Sequence, residues 1–461
     1  MHSLELGRAR SSNPKIDKSI ILPLLACAYA VIISPLLIYF TSAQGGRGSL
    51  QALMEEHPEN KYFWTALAAI SVVAAARNGS RLRTLTLPPH LACLLAYLAF
   101  AGMSVLWAFK PEISFIRFVA QAMIITSIVL PAMSAARTTD MMRGLFLCYA
   151  FAVVLNVFFV LNQAPNMVEN VAIGYPGYFT FKGILGECAS IALLLSLHEL
   201  LYPGRRRLLG LIVIIIATWL IFVSESKGSL GFALIAPALA AFTLVVAKGR
   251  RISPATVLVS MLAIYVVVST AIGFTVNKLS WYVYGNYTFS GRTFIWDFVN
   301  YMIDRKPLFG WGYQSFWLVG PDGPSLEAGG WVRQMPSAHS GYLDTRLETG
   351  YLGFALFVIF IVATLHAVGR MAERERARAW LLLSLALFVI LTNFLETTWM
   401  RGMEPLWVVF VIVAAEIGRF WQPFRPGDAA SEIRGAPKPR RLSLRDSRLA
   451  LGTDSHHQDP Q

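Results

Sequence analysis

The stretch Ile20-Ile21-Leu22-Pro23-Leu24-Leu25-Ala26-Cys27-Ala28-Tyr29-Ala30-Val31-Ile32-Ile33-Ser34-Pro35-Leu36-Leu37-Ile38-Tyr39-Phe40 contains no charged side chain. A helix rises about 1.5 Å per residue, so a run of this length crosses the roughly 30 Å hydrocarbon core of a bilayer. Arg8, Arg10, Lys15 and Lys18 precede it. A cleaved signal peptide has a shorter apolar core, about 7–15 residues, and a small-residue cleavage site. The run therefore reads as a retained first transmembrane helix.

The same pattern recurs along the chain. Of its 461 residues 55% are hydrophobic and 15% charged, and the mean hydropathy is +0.53. Soluble domains carry about 25% charged residues; the deficit points to lipid as the main solvent. Apolar runs place further spans at 61–76, 88–107, 115–133, 144–162, 183–201, 208–224, 228–247, 255–276, 350–369, 379–396 and 404–420, after a first at 19–40. The fold class expected is an all-α polytopic membrane protein with about twelve transmembrane helices. The chain divides into an N-tail (1–18), nine helices (19–276), a long extracytoplasmic loop (277–349), three helices (350–420) and a basic, disordered C-tail (421–461).

Charge gives an independent test. With the N-terminus inside, the cytoplasmic segments hold 27 of the 40 Lys and Arg residues. They include Arg77/Arg81/Arg83, Arg137/Arg143, Arg205–Arg207, Lys248/Arg250/Arg251, Arg370/Arg374/Arg376/Arg378 and the chain from Arg419. Cytoplasmic loops are basic in this way. An odd number of spans would put neighbouring basic loops on opposite sides, so both termini are expected in the cytoplasm. The net charge of +13 is mostly this topological signal. No basic patch interleaved with aromatics marks a nucleic-acid surface. Cys27, Cys93, Cys148 and Cys188 each fall in an apolar run with no CxxC partner, which suits small packing residues.

The 277–349 loop breaks the pattern of short connections, and long structured loops are usually functional. Within it 292–305 reads as an amphipathic helix with Phe294, Phe298 and Met302 at i+4, and Ile295, Val299 and Tyr301 beside them. Gly320-Pro321-Asp322-Gly323-Pro324 and Gly329-Gly330 read as a mobile flap. Charges near membrane depth are costly and are functional candidates. The outer-face cations are Lys182, Lys227, Arg292, Arg333, Arg346 and Arg401; the acids near them are Glu187, Glu225, Asp297, Asp344, Glu348, Glu396 and Glu404. Lys227 sits in a tight connection, Ser224 to Ser229, and either binds an anion or snorkels and pairs with Glu225. Arg292 opens a helix, where a cation is unfavourable unless an anion lies between it and the free N–H groups; the alternative is an exposed loop arginine. His339 can accept a proton near neutral pH or serve structurally. D-x-D, H-E-x-x-H, Walker and G-x-S-x-G motifs are absent, so no cofactor or metal ligand set is expected. What remains is a cationic, aromatic-rich pocket at the outer boundary.

These residues resemble a known family. The blocks are Phe289-Ser290-Gly291-Arg292-Thr293-Phe294-Ile295-Trp296, Pro307-Leu308-Phe309-Gly310-Trp311-Gly312-Tyr313-Gln314-Ser315-Phe316, Ala338-His339-Ser340-Gly341-Tyr342-Leu343 and Glu348-Thr349-Gly350. With Phe181 to Gly186 and Ser224 to Gly228 upstream, their order and spacing resemble the O-antigen ligase and Wzy-type polymerase superfamily. The variant Phe181-Lys182-Gly183-Ile184-Leu185-Gly186-Glu187 is most similar to succinoglycan-type (ExoQ-like) exopolysaccharide polymerases. Lys227 stands where the family has an arginine, which removes bidentate contact there.

The resemblance implies a GT-C-like fold in a bacterial inner membrane with the site facing the periplasm. It implies a metal-independent, inverting glycosyltransferase that moves oligosaccharide repeats from undecaprenyl diphosphate to a lipid-linked glycan. Ligation to lipid A core or protein is the alternative within the class, and a lipid-linked sugar flippase the alternative outside it. By the resemblance Lys227 and Arg292 hold the diphosphate and His339 is the essential loop histidine. Lys182, Arg333, Arg346, Glu187, Asp344 and Glu348 are expected to contact substrate. Expected partners are the undecaprenyl-diphosphate-linked oligosaccharide, membrane lipid, a chain-length regulator and export machinery.

Overall fold

The computed structural model describes residues 18–41, 58–77, 85–135, 140–168, 171–274, 278, 280–282, 285 and 287–422. The N-tail up to Asp17, the C-tail from Pro423, and Arg81, Arg83 and Arg137 lie outside them.

Each apolar run forms a helix. They are α1 (Ile21–Thr41), α2 (Pro58–Arg77), α3 (Pro89–Trp107), α4 (Pro111–Ser134) and α5 (Met141–Leu161). After a short antiparallel hairpin of β1 (Asn166–Val168) and β2 (Val171–Gly174) come α6 (Lys182–Glu199), α7 (Arg205–Val223), α8 (Lys227–Arg250) and α9 (Pro254–Ala271). The loop contributes α10 (Arg292–Arg305), and α11 (Gly341–Ala372), α12 (Arg376–Thr392) and α13 (Pro405–Trp421) complete the bundle. Eight of these are long and apolar enough to cross a membrane: α1, α3, α4, α5, α7, α8, α9 and α11. The helices α2, α6, α12 and α13 occupy the other four expected spans. The molecule is an all-α polytopic membrane protein, the hairpin being its one small departure among the described residues.

Proline at the first turn sets several starts (Pro89, Pro111, Pro254, Pro405), where its missing N–H costs nothing. Ser253 caps α9 by accepting from Thr256 N at 3.1 Å. The most enclosed helices are α12 and α13. Every residue of α13 from Pro405 to Arg419 is buried, as a helix apolar all round demands. Their connection, 393–404, is thereby set against the outer loop. By contrast α9 packs only through its first turns, at Pro254, Ala255 and Val257.

The basic segments meet at one end of the bundle. Arg206 pairs with Glu199 at 2.6 Å and Asp140 at 3.3 Å, Arg143 with Glu199, Arg378 with Asp140 at 3.5 Å and Glu416 at 3.3 Å, and Arg419 with Glu416 at 2.5 Å. This network ties α5, α6, α7, α12 and α13 together. The long loop lies at the opposite end.

The loop folds on a core of its own: Ile295, Val299, Met302, Ile303, Trp311, Phe316, Trp317, Ala328, Val332, Ala338 and Leu347. The helix 292–305 forms where expected, but its buried stripe is Ile295, Val299, Met302 and Ile303, while Phe294 and Tyr301 are exposed. Of the expected stripe, Ile295, Val299 and Met302 are buried; Phe294 and Tyr301 turn outward because the loop core lies beneath the aliphatic side chains. The middle of the stretch 320–330 packs on the loop, while its two ends are exposed. Pro324, Ser325 and Ala328 are buried, and Arg305 pairs with Glu327 at 2.5 Å.

Candidate active site

The loop is fixed to the bundle through glycines. Gly350 has φ +64 and ψ −170, breaking α11 into a loop part and a spanning part. The carbonyls freed by the break accept from the 307–312 segment: Leu347 O from Trp311 N at 3.0 Å and Glu348 O from Gly312 N at 2.8 Å. In return Tyr351 N donates to Pro307 O at 2.8 Å. A Cβ on Gly310 would collide with Glu348, and one on Gly350 with Leu308 O. The segment continues over α3 and α4: Ser114 Oγ donates to Tyr313 O at 2.7 Å, and Arg117 to Gln314 O at 2.6 Å.

A second set of bonds joins the 337–344 segment to the 393–404 connection. Gly341 N donates to Asn393 O at 2.9 Å and Glu396 O at 3.0 Å, and Ser340 N to Thr397 Oγ1 at 3.1 Å. Asp344 accepts from Trp317 Nε1 at 2.7 Å, Ala338 N at 3.1 Å and Thr397 Oγ1 at 2.7 Å. Arg401 lies 2.7 Å from Glu348 and 3.5 Å from Asp344. Burial works against the Arg401 charge, but these two carboxylates outweigh it and raise its pKa. Asp344 and Glu348, expected to contact substrate, are thus engaged within the protein.

This scaffold brings Arg292 and His339 to one carboxylate. Arg292 Nη2 lies 2.6 Å from Glu396 Oε1, and His339 Nδ1 lies 3.3 Å from Glu396 Oε2. The Arg292 Nε–H is buried without a hydrogen-bond partner among the described residues. Glu396 is thus an anion that stands beside Arg292 at the start of α10. With Nδ1–H donated to Glu396, the Nε2 of His339 presents its lone pair.

Backbone strain collects here. Eight non-glycine residues have positive φ among the described residues: Glu225, Arg251, Phe289, Ser290, Gln314, Leu318, His339 and Met400. All but Arg251 lie at the loop end. Such conformations cost about 1–3 kcal/mol each and cluster at functional sites.

Lys182 and Lys227 open α6 and α8 at the same end. Lys182 donates to Ile173 O of the hairpin and is within electrostatic reach of Glu225 and Lys227. Lys227 itself is exposed. Gly186 packs against Ser224, Ser226 and Ser229, so no larger residue fits there. The next residue, Glu187, is buried and within electrostatic reach of Glu396 and Glu404. Glu187 on α6 thus stands within electrostatic reach of the carboxylate that Arg292 and His339 share.

Arg333 is exposed on a short turn, Gly330–Gln334. Arg346 is two residues from Asp344 on α11, which turns it to the opposite face; it meets the Tyr351 hydroxyl at 2.5 Å, apart from the cluster. The last helix begins at Pro405, one residue later than expected, which leaves Glu404 in the outer turn. Burial and then the Glu396 carboxylate push Glu404 up to about 7, against a pull down from Arg401. The carboxylates form no metal cluster: among the described residues no group of three or more His, Cys, Asp or Glu has that arrangement.

Glu396, Arg401 and Glu404 were noted in the sequence only as outer-face charges; none was singled out for the site. Their signal was a run of three charges in a twelve-residue connection between apolar helices.

No curated protein matches the chain. Residues 189–358 match the family model described as O-antigen ligase. That segment holds Lys227, Arg292, Arg333, His339, Asp344, Arg346 and Glu348, and stops short of the 393–404 connection. The family implies lipid-linked glycan substrates and a ligase or polymerase activity of the glycosyltransferase kind. This segment, set in its membrane bundle, is thus similar to the O-antigen ligase family.

Proposed function

We propose that the protein is a polysaccharide polymerase of the bacterial inner membrane. It passes oligosaccharide repeats from undecaprenyl diphosphate to a lipid-linked glycan acceptor on the periplasmic leaflet, with both termini in the cytoplasm. The observation that carries the reading is the convergence of Arg292 and His339 on the two oxygens of Glu396.

In this mechanism His339 Nε2 takes the proton of the acceptor hydroxyl as its oxygen attacks the anomeric carbon. The carbon–oxygen bond to the diphosphate breaks, and its electron pair leaves with the diphosphate. Attack opposite the leaving group inverts the anomeric centre. Negative charge grows on the departing oxygen, so cations fixed beforehand stabilise the transition state more than the ground state. Arg292 and Lys227 supply that charge, with Lys182 and Arg333 at the rim. Glu396 holds Arg292 in place until substrate arrives and afterwards stabilises the protonated imidazole, as an orienting carboxylate does in other base-assisted transfers.

The glycan of a deletion strain tests the reading. Loss of a polymerase leaves single repeats on the carrier. Long polymer stranded on its carrier would indicate a ligase instead, and repeats trapped on the inner leaflet a flippase.

A further inference from the structure

Among the large aromatic residues of the loop, four indoles and Phe316 can be compared. Trp296, Trp311 and Trp317 donate their indole N–H to Ala338 O at 3.0 Å, Met302 O at 2.9 Å and Asp344 Oδ1 at 2.7 Å. Phe316 is fully buried among them. Trp331 differs: it is 46% exposed, and its N–H has no hydrogen-bond partner among the described residues.

Its position is nonetheless fixed. Trp331 stands on the Gly330–Gln334 turn, between Ala328 and Val332, both buried in the loop core. The six-membered edge of the indole overlies the turn that starts α10. A Cβ on Gly291 would lie 3.2 Å from both Cζ2 and Cη2 of Trp331, and Gly291, with φ +91, is the residue before Arg292. A wet, anchored aromatic face therefore borders the cation that holds the diphosphate in the proposed mechanism.

An indole face carries negative charge density, and aromatic side chains offer broad contact area at small cost in conformational entropy. A pyranose ring presents C–H groups, weakly positive and apolar, on one of its faces. We infer that Trp331 is a glycan-binding residue, the platform on which the sugar next to the diphosphate stacks. It contacts substrate beyond the groups that break the bond, so it sets which donors are held and for how long. The inference rests on the glycosyl-transfer reading.

The test uses the full-length protein in lipid nanodiscs and two probes: undecaprenyl diphosphate without sugar, and the undecaprenyl-diphosphate-linked repeat purified from a deletion strain. Trp331→Ala is expected to weaken binding of the sugar-bearing carrier by about tenfold, near the upper range for an aromatic contact. Binding of the sugar-free carrier is expected to stay unchanged, which also reports that the variant is folded. Trp331→Phe should recover most of the loss. Equal weakening of both probes would make Trp331 a structural residue, and no weakening of either would remove its role; both overturn the proposal. Failure of the wild-type protein to bind either carrier would instead overturn the glycosyl-transfer reading, and this inference with it.

Discussion

Glu396 has one oxygen for a guanidinium and one for an imidazole, and this division of labour makes it separable from the groups it serves. Glu396→Gln keeps the shape and removes the charge. Turnover is expected to fall by roughly 10²–10⁴-fold, as when a catalytic base loses its orienting carboxylate, with KM changed far less. A variant with wild-type kcat would show that His339 needs no such partner. Glu404 supplies a pH signature. Its folded pKa of about 7 exceeds the ordinary Glu value of about 4.3. The folded protein therefore keeps a proton that the unfolded chain has released. This contribution to stability is fully present below about pH 4 and is lost as pH rises through about 7. Glu404→Gln abolishes the loss, so its Tm relative to wild type should rise from pH 5 to about pH 7 and level off above that. A difference independent of pH would contradict the assignment.

At the scale of elements, Gly350 decides whether the loop can dock. It requires a positive φ, and its neighbours leave no room for a side chain. Gly350→Ala combines left-handed strain of about 1–3 kcal/mol with a collision at Leu308 O. A marked loss of Tm and release of the 307–312 segment to proteolysis are expected; an unchanged Tm would show that the break tolerates a Cβ. The helices themselves were legible in the sequence, because lipid obliges every spanning backbone to satisfy its own hydrogen bonds within a long apolar run. The break at Gly350 fell at the expected end of the loop for the same reason: apolar periodicity starts there. The face of α10 was less legible, since Phe294 and Ile295 are equally plausible core residues until the packing beneath them is known. Glu396 and Arg401 escaped notice as site residues because their importance comes from tertiary packing. Burial of α12 and α13 brings their connection against the loop, and nothing local to 393–404 announces that.

At the scale of the whole molecule, two charged regions sit at opposite ends of one bundle and differ in kind. At the basic end, Arg143, Arg206, Arg378 and Arg419 are matched by Asp140, Glu199 and Glu416, an arrangement that fastens helices. At the loop end Arg292 and His339 share one carboxylate beside strained backbone, and Lys182 and Lys227 open helices at that same end, an arrangement suited to a ligand that arrives with negative charge. A transporter would string such cations through the membrane; here they stay at one end. The most direct measurement is turnover by purified protein in nanodiscs supplied with the undecaprenyl-diphosphate-linked repeat, product length being read on a gel. Wild type should build polymer, while Arg292→Ala and His339→Ala proteins, equally well inserted, should each lose roughly 10²–10³-fold in rate. Near-normal polymer from either variant would contradict the account.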